Sequence, residues 1–276
     1  CTADFDDSGW DKPQIVPAPK GILRAQMMPP VKVIQTIRPV RMNSPKPGMY
    51  IFDLGQNISG WAQLKVSGPA GTKVQMRYGE RLHEDGTLDQ REIKEHVYED
   101  VFHTDTYVLN GKGTETWEPR FTYYGYQYVE LTGFPGIPTL DSISGRVVHT
   151  AFEQTGQFKC SNDLINKIHH GTLWAYRGNY VSIPTDCPHR EKLGWLECAY
   201  LLEPSFLYRY GGREWFSKIA RDIRDAQEPS GRVLTVAPSY PAGRFPGAFN
   251  WTVEWGAAAV LTPWQHYQWF GDRQVL

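Results

Sequence analysis

The sequence predicts a multidomain β + α protein: a β-sandwich, jelly-roll-like, followed by helices paired as in an α/α toroid. Three observations predict it. Apolar residues alternate with a period of two over much of Met49 to Thr132, and they recur at helical spacing from Ser161 onward. The loops between the helices are long and rich in Pro, Gly and aromatic residues. The sandwich is expected over residues 48–150 and the helical part over 151–276.

The elements follow in chain order. Residues 1–47 are proline-rich, with apolar pairs such as Val31-Val33 and Val40-Met42 and no helical period. Tyr50 to Gly68 reads as two strands joined by a turn at Gly55-Gln56-Asn57, with Ala62, Leu64 and Val66 alternating against polar neighbours. Lys73 to Glu80 places Val74, Met76 and Tyr78 on one face, and further strands are expected at Asp105–Leu109, Thr116–Pro119 and Tyr123–Thr132. Trp117, Phe121, Tyr123, Tyr126 and Tyr128 are read as ordinary sandwich core and surface. Arg81 to Glu99 is a long acidic loop with no assigned role. In the second half, Ser161 is expected to cap a helix reaching Tyr180, with Asp163 in its first turn. A second helix is expected from His189 to Tyr210, bent at Pro204, and a third from Glu214 to Glu228 on the stripe Trp215, Ile219, Ile223. Pro229 to Val253 is a loop, and a last helix runs from Glu254 to about Phe270. Leu193, Leu201 and Val260 are expected on inner helical faces.

Composition narrows the function classes. A net charge of −1 gives no reason to expect nucleic acid or an anionic membrane as partner. No apolar run approaches the roughly 20 residues of a membrane span. Four cysteines (Cys1, Cys160, Cys187, Cys198) fall at irregular spacing, which is neither a disulfide framework nor a zinc pattern. Aromatic content is high, with 10 Trp and 15 Tyr, which suits a large core and a sugar site equally.

The densest chemistry lies in Ile183 to Tyr200, IPTDCPHREKLGWLECAY. Asp186, Glu191 and Glu197 are carboxylates, His189 and Arg190 offer a base and a fixed cation, and Trp195 offers a flat apolar face. Pro184 and Pro188 stiffen the approach. Carbohydrate chemistry needs carboxylates as acid, base and hydroxyl acceptors, with an aromatic face for the ring. The bland reading is that Glu191 merely complements a helix dipole. The crowding of other functional residue types around it favours the first reading.

TDCPHREKLGWLE closely resembles the signature of the bacterial α-L-rhamnosidases, glycoside hydrolase family 78. The commoner form there reads DCPQRDERLGWTGD, beside a shorter DCPxREKLGWLE form. The resemblance implies that Glu191 is the general acid and that Asp186 and Glu197 bind sugar hydroxyls, with Arg190 and Trp195 in the same subsite. Glu197 stands where the common form has an Asp one residue further on. EWGAAAVLTPWQHYQWFGDRQVL resembles a second family segment and points to Trp255 as a subsite wall, with Trp251 its companion and Glu254 a hydroxyl acceptor. FDDSGWDKP resembles the end of a preceding sugar-binding-type sandwich, which makes residues 1–47 its end and a linker. DLGQNISGW and WEPRFTYYGYQYVELTG resemble strands of the sandwich that abuts the catalytic barrel. Residues 151–276 are then the N-terminal part of an (α/α)6 barrel.

The resemblance implies hydrolysis of a terminal α-L-rhamnoside with inversion. One carboxyl protonates the departing oxygen and a second activates water on the far face, about 6.5–9.5 Å away. The family's base lies beyond the end of this chain; Glu254 is the local candidate for that role. An acid must hold its proton near neutral pH, so Glu191 is expected to pack against Trp195, close to Asp186 and Glu197. The partner implied is a rhamnose-containing oligosaccharide, polysaccharide or glycoside, and no cofactor or metal is called for. A periplasmic or extracellular setting is favoured over the cytoplasm. The competing reading is a non-catalytic carbohydrate-binding protein on the same scaffold, which has no need of an intact Asp186/Glu191 pair.

Overall fold

A computed structural model describes residues 6–18, 21–95, 101–239 and 250–276. The first half is built on β1 (Val31–Ile37), β2 (Arg41–Lys46), β3 (Met49–Ser67), β4 (Lys73–Gly79), β5 (Arg81–Leu82) and β6 (Leu88–Asp89). These are followed by β7 (Thr104–Val108), β8 (Thr114–Trp117), β9 (Tyr124–Thr132) and β10 (Ile143–Thr150). One antiparallel sheet of 8 strands runs β1-β10-β3-β9-β4-β7, with β2 and β8 also paired to β3. The first part of β3 pairs with β2 and β9, and its last part with β10 and β8. The sheet therefore curls around a single core that includes Phe52, Leu64, Met76, Tyr78, Tyr126 and Val147.

Two expectations change here. The turn at Gly55–Asn57 does not form. Gly55 adopts φ 71° and its N–H donates to Asp53 Oδ1 at 2.8 Å. The strand bulges between Asp53 and Ile58 and then continues, so the two expected strands are one. The Arg81–Glu99 stretch also has more structure than its composition suggests. β5 and β6 pair as a hairpin, Leu88 and Ile93 are buried, and the Gln90 amide donates to the Tyr78 and Phe102 carbonyls. Residues 96–99 of that stretch lie outside the described residues. The apolar pairs near residues 31–42 lie on or beside β1 and β2, which pair with β10 and β3.

The second half contains α1 (Asp163–Asn179), the short β11 (Tyr180–Val181) and β12 (Ile183–Pro184), and α2 (Leu196–Leu207). Then follow α3 (Arg213–Ala226), α4 (Val253–Gly256) and α5 (Ala258–Phe270). Asn162, not Ser161, caps α1, because its side chain accepts the Leu164 and Ile165 N–H groups. The last helix is interrupted at Ala257, and α2 starts at Leu196 rather than His189. Of the loop expected over Pro229–Val253, residues 240–249 lie outside the described residues. Tyr180, Phe206, Trp215, Phe216 and Ile219 make a second, aromatic core. Leu201 and Val260 are 58% and 70% exposed, whereas Leu193 is buried in the loop before α2. None of the described helices is long and apolar enough to cross a membrane.

Candidate active site

The motif between Pro184 and Leu196 is a compact loop. Asp186 Oδ1 accepts the Leu193 N–H at 3.2 Å, and the Glu191 N–H points at Cys187 Sγ, 3.4 Å away. Lys192 lies in the left-handed region, φ 54°. An L-residue there interrupts a right-handed helix, which is why the helical spacing does not take effect until Leu196. The chain then runs beside residues 235–237. The Ala237 N–H donates to Gly194 O and the Leu196 N–H to Thr235 O, both at 3.0 Å. A Cβ on Gly194 would strike the Ala237 carbonyl, so this close approach requires glycine. Glu191 therefore stands outside any first helical turn. Of Asp186, Glu191 and Glu197, only Glu197, in the first turn of α2, keeps the dipole argument.

Glu191 is held from one side. Trp195 Nε1 donates to its Oε2 at 3.0 Å, and Arg190 Nε lies 3.8 Å from its Oε1. Its side chain is 37% exposed, so the enclosure expected of a proton donor is incomplete among the described residues. Trp195 meets Trp255 edge to face, with centroids 6.1 Å apart at 67°. Trp255 belongs to α4, where Thr252 caps its N–H, and Glu254 is exposed beside it. The Tyr200 hydroxyl donates to the Glu254 carbonyl at 3.1 Å. Burial raises the Tyr200 hydroxyl above its usual range, and the carboxylates of Glu197 and Glu254 add to this. Cys198 is pushed up to about 11 by burial, with Asp186 and Glu197 contributing, so the thiol is inert at neutral pH. Asp186, Glu191, Trp195, Glu197, Glu254 and Trp255 thus form one neighbourhood. Trp251 is half exposed, and no ring contact among the described residues joins it to that neighbourhood.

The other motif residues turn toward the sandwich. Arg190 Nη1 reaches the Glu92 carbonyl at 3.4 Å and Glu95 Oε2 at 3.2 Å. His189 Nδ1 accepts the Arg190 N–H at 2.8 Å, and its Nε2 lies 3.9 Å from Glu80 Oε2. Burial keeps this imidazole below its usual range, with Arg190 and Lys192 adding to the effect. His189, offered by the sequence as a base, is therefore committed to the sandwich side. Sequence reasoning missed Lys192, Tyr200 and Glu203. Glu203 is wholly buried on α2, and its register between Ala199 and Phe206 was the available signal. Among the described residues no group of three or more His, Cys, Asp or Glu side chains is arranged to hold a metal.

A curled antiparallel sandwich leading into helical hairpins, with carboxylates and tryptophans gathered at the helix starts, is the architecture of a six-hairpin glycosidase. Residues 43–149 match the family model of the bacterial alpha-L-rhamnosidase concanavalin-like domain, and residues 153–276 that of the bacterial alpha-L-rhamnosidase 6 hairpin glycosidase domain. The chain belongs to the bacterial α-L-rhamnosidase family. It is 40% identical to an α-L-rhamnosidase of Streptomyces avermitilis over 99% of its length and 26% of that protein. The α-L-rhamnosidase structure from Dictyoglumus thermophilum superposes with a TM-score of 0.89 at 41% identity, over 99% of this chain and 30% of that one. The Streptomyces avermitilis α-L-rhamnosidase complexed with L-rhamnose gives 0.83 at 41%, over 91% of this chain and 24% of that one. The chain spans about a quarter of the length of the curated relatives it matches.

Proposed function

We propose that this chain is the part of an inverting α-L-rhamnosidase that carries the proton donor, Glu191, and much of the rhamnose subsite. The observation that carries the reading is the Trp195 Nε1–Glu191 Oε2 hydrogen bond beside the Trp195–Trp255 pair. It fixes a carboxyl at the edge of an aromatic wall, where a departing glycosidic oxygen has to be protonated. Asp186, Glu197 and Glu254 serve as hydroxyl acceptors around it. Arg190 has its guanidinium shared between Glu95 and Glu191, and we assign it to orienting the acid rather than to gripping sugar. The general base is supplied by residues beyond Leu276. The division into an N-terminal segment, a sandwich and the first part of an (α/α)6 barrel belongs to the same reading.

The test is to incubate the full-length protein with nitrophenyl α-L-rhamnoside and follow the first-formed sugar by proton NMR. Release of β-L-rhamnose is the expected result. Release of the α anomer first would overturn inversion, and turnover confined to other glycosides would overturn the substrate.

Asp186 tests the division of labour. Asp186→Asn keeps an oxygen for the Leu193 N–H but removes the charge offered to a hydroxyl. Rhamnose binding is expected to weaken by about 1.5–3 kcal/mol, the usual worth of a hydrogen bond to a charged group. The pH optimum should stay in place. A shift of the acidic limb by about a unit, which is 1.36 kcal/mol between protonation states, would put Asp186 in the proton transfer itself.

A further inference from the structure

The residues from Pro188 to Lys192 divide by direction. Glu191 turns to Trp195 and the candidate subsite, while its neighbours turn to the sandwich. The Pro188 ring sits where Gly125 of β9 has no side chain; a Cβ there would lie 2.6 Å from Pro188 Cγ. His103 Nε2, next to β7, lies 3.3 Å from the His189 carbonyl. Arg190 reaches Glu92 and Glu95, and a cavity of about 170 Å³ behind the loop is lined by His189, Arg190, Glu80 and Glu92, among others. Lys192 makes the deepest of these contacts. Its Nζ donates to the Tyr123 carbonyl at 2.6 Å and lies 4.4 Å above the Tyr123 ring and 5.6 Å from that of Tyr124.

We propose that Lys192 is a positioning residue for Glu191, and that through it the β-sandwich sets the aim of the proton donor. The proposal rests on the reading of Glu191 as the acid. Lys192 holds a left-handed backbone, which is unfavourable for an L-residue because its Cβ crowds the following carbonyl, so the reversal between Glu191 and Leu193 needs a side chain that fastens it. Two fasteners flank the reversal: the Lys192 ammonium on the sandwich and the Asp186–Leu193 hydrogen bond on the loop's own side. Arg190 is the weaker anchor, because its pair with Glu95 is exposed and surface pairs contribute little. Burial lowers the Lys192 ammonium to about 8, and the Tyr123 carbonyl and the two rings are the contacts that compensate for its lost hydration. Proton donation is sensitive to aim, since a misplacement of about 1 Å costs on the order of 10²-fold.

The experiment uses the full-length enzyme and two substrates, nitrophenyl and methyl α-L-rhamnoside, with Glu191→Gln as reference. A nitrophenolate leaves with little help from an acid, whereas a methoxide needs the proton. Lys192→Met is expected to lose at least about tenfold more kcat on the methyl glycoside than on the nitrophenyl one, the lower reach of general acid catalysis being about 10². Inhibition by free rhamnose should be unchanged, and Lys192→Arg should recover part of the loss. Tyr123→Leu, which leaves the motif intact, should show the same substrate bias more weakly and stands in should Lys192→Met fail to fold. Equal losses on both substrates in the Lys192 and Tyr123 variants, with the bias present in Glu191→Gln, overturn the positioning role alone. Equal losses in Glu191→Gln overturn the donor reading and this proposal with it.

Discussion

Glu191→Gln is expected to lower turnover on an alkyl α-L-rhamnoside by about 10²–10⁴-fold, the range spanned by positioned proton transfer. The amide keeps an oxygen for the Trp195 Nε1–H that now meets Oε2 at 3.0 Å, so the loop should hold its shape. What is lost is the proton. On nitrophenyl α-L-rhamnoside the loss should be far smaller, and the acidic-to-neutral pH profile should lose its alkaline limb. Steady-state kinetics on the two substrates decide it. A uniform loss would mean that Glu191 holds sugar rather than donates.

Glu203→Met is expected to stabilise the protein, most of all at alkaline pH. Glu203 is fully buried on α2, and neither carboxylate oxygen has a hydrogen-bond partner among the described residues. Burial pushes this carboxyl up to about 8 from an ordinary value of 4.5. The sign follows from proton linkage. Between about 4.5 and 8 the folded chain binds a proton that the unfolded chain has released. The associated stability is complete below about 4.5 and is lost as pH rises through about 8. Above that, folding has to bury a bare carboxylate or protonate it. Tyr180 shares this environment; its hydroxyl is held well above its usual range by burial, then by Tyr176, Cys198 and Glu203. A methionine of similar length removes the ionisable group and keeps the packing, a gain of roughly 2–4 kcal/mol at pH 9 and little at pH 5. Thermal unfolding of both proteins at the two pH values tests this. Parallel pH dependence in wild type and variant would show that Glu203 finds a partner that stabilises its charge.

The site was more legible than the path of the chain through it. Asp186, Glu191 and Trp195 lie within ten positions, and short-range order survives folding, so residue types and spacing were enough to nominate them. The backbone between them was not legible. Apolar spacing from Leu193 to Leu202 reads as helix, yet one left-handed residue, Lys192, delays α2 to Leu196. Nothing local to a lysine announces positive φ; contacts with Tyr123, far back in the chain, select it. Gly55 misled in the opposite sense: a glycine with asparagine nearby signals a turn, but pairing to β9 on both sides turned it into a bulge. Glu203 was hidden by type, since a charged residue in an apolar register is ordinarily solvated.

The pairing of β1 with β10 bears on how this protein is made. Ile37 waits for Gly145 and Val31 for Thr150 before either has a partner, and the long β3 between them also needs β9 and β10 to complete it. At about 5–20 residues per second on the ribosome, β1 spends on the order of five to twenty seconds without its partner. Over that interval its edges are open to pairing with other nascent chains. Arg38 and Pro39, directly after β1, are residue types that discourage such pairing. The sheet against which the motif loop packs is thus slow to close by topology, and the loop that bears Glu191 is synthesised only after the last of its strands, β10.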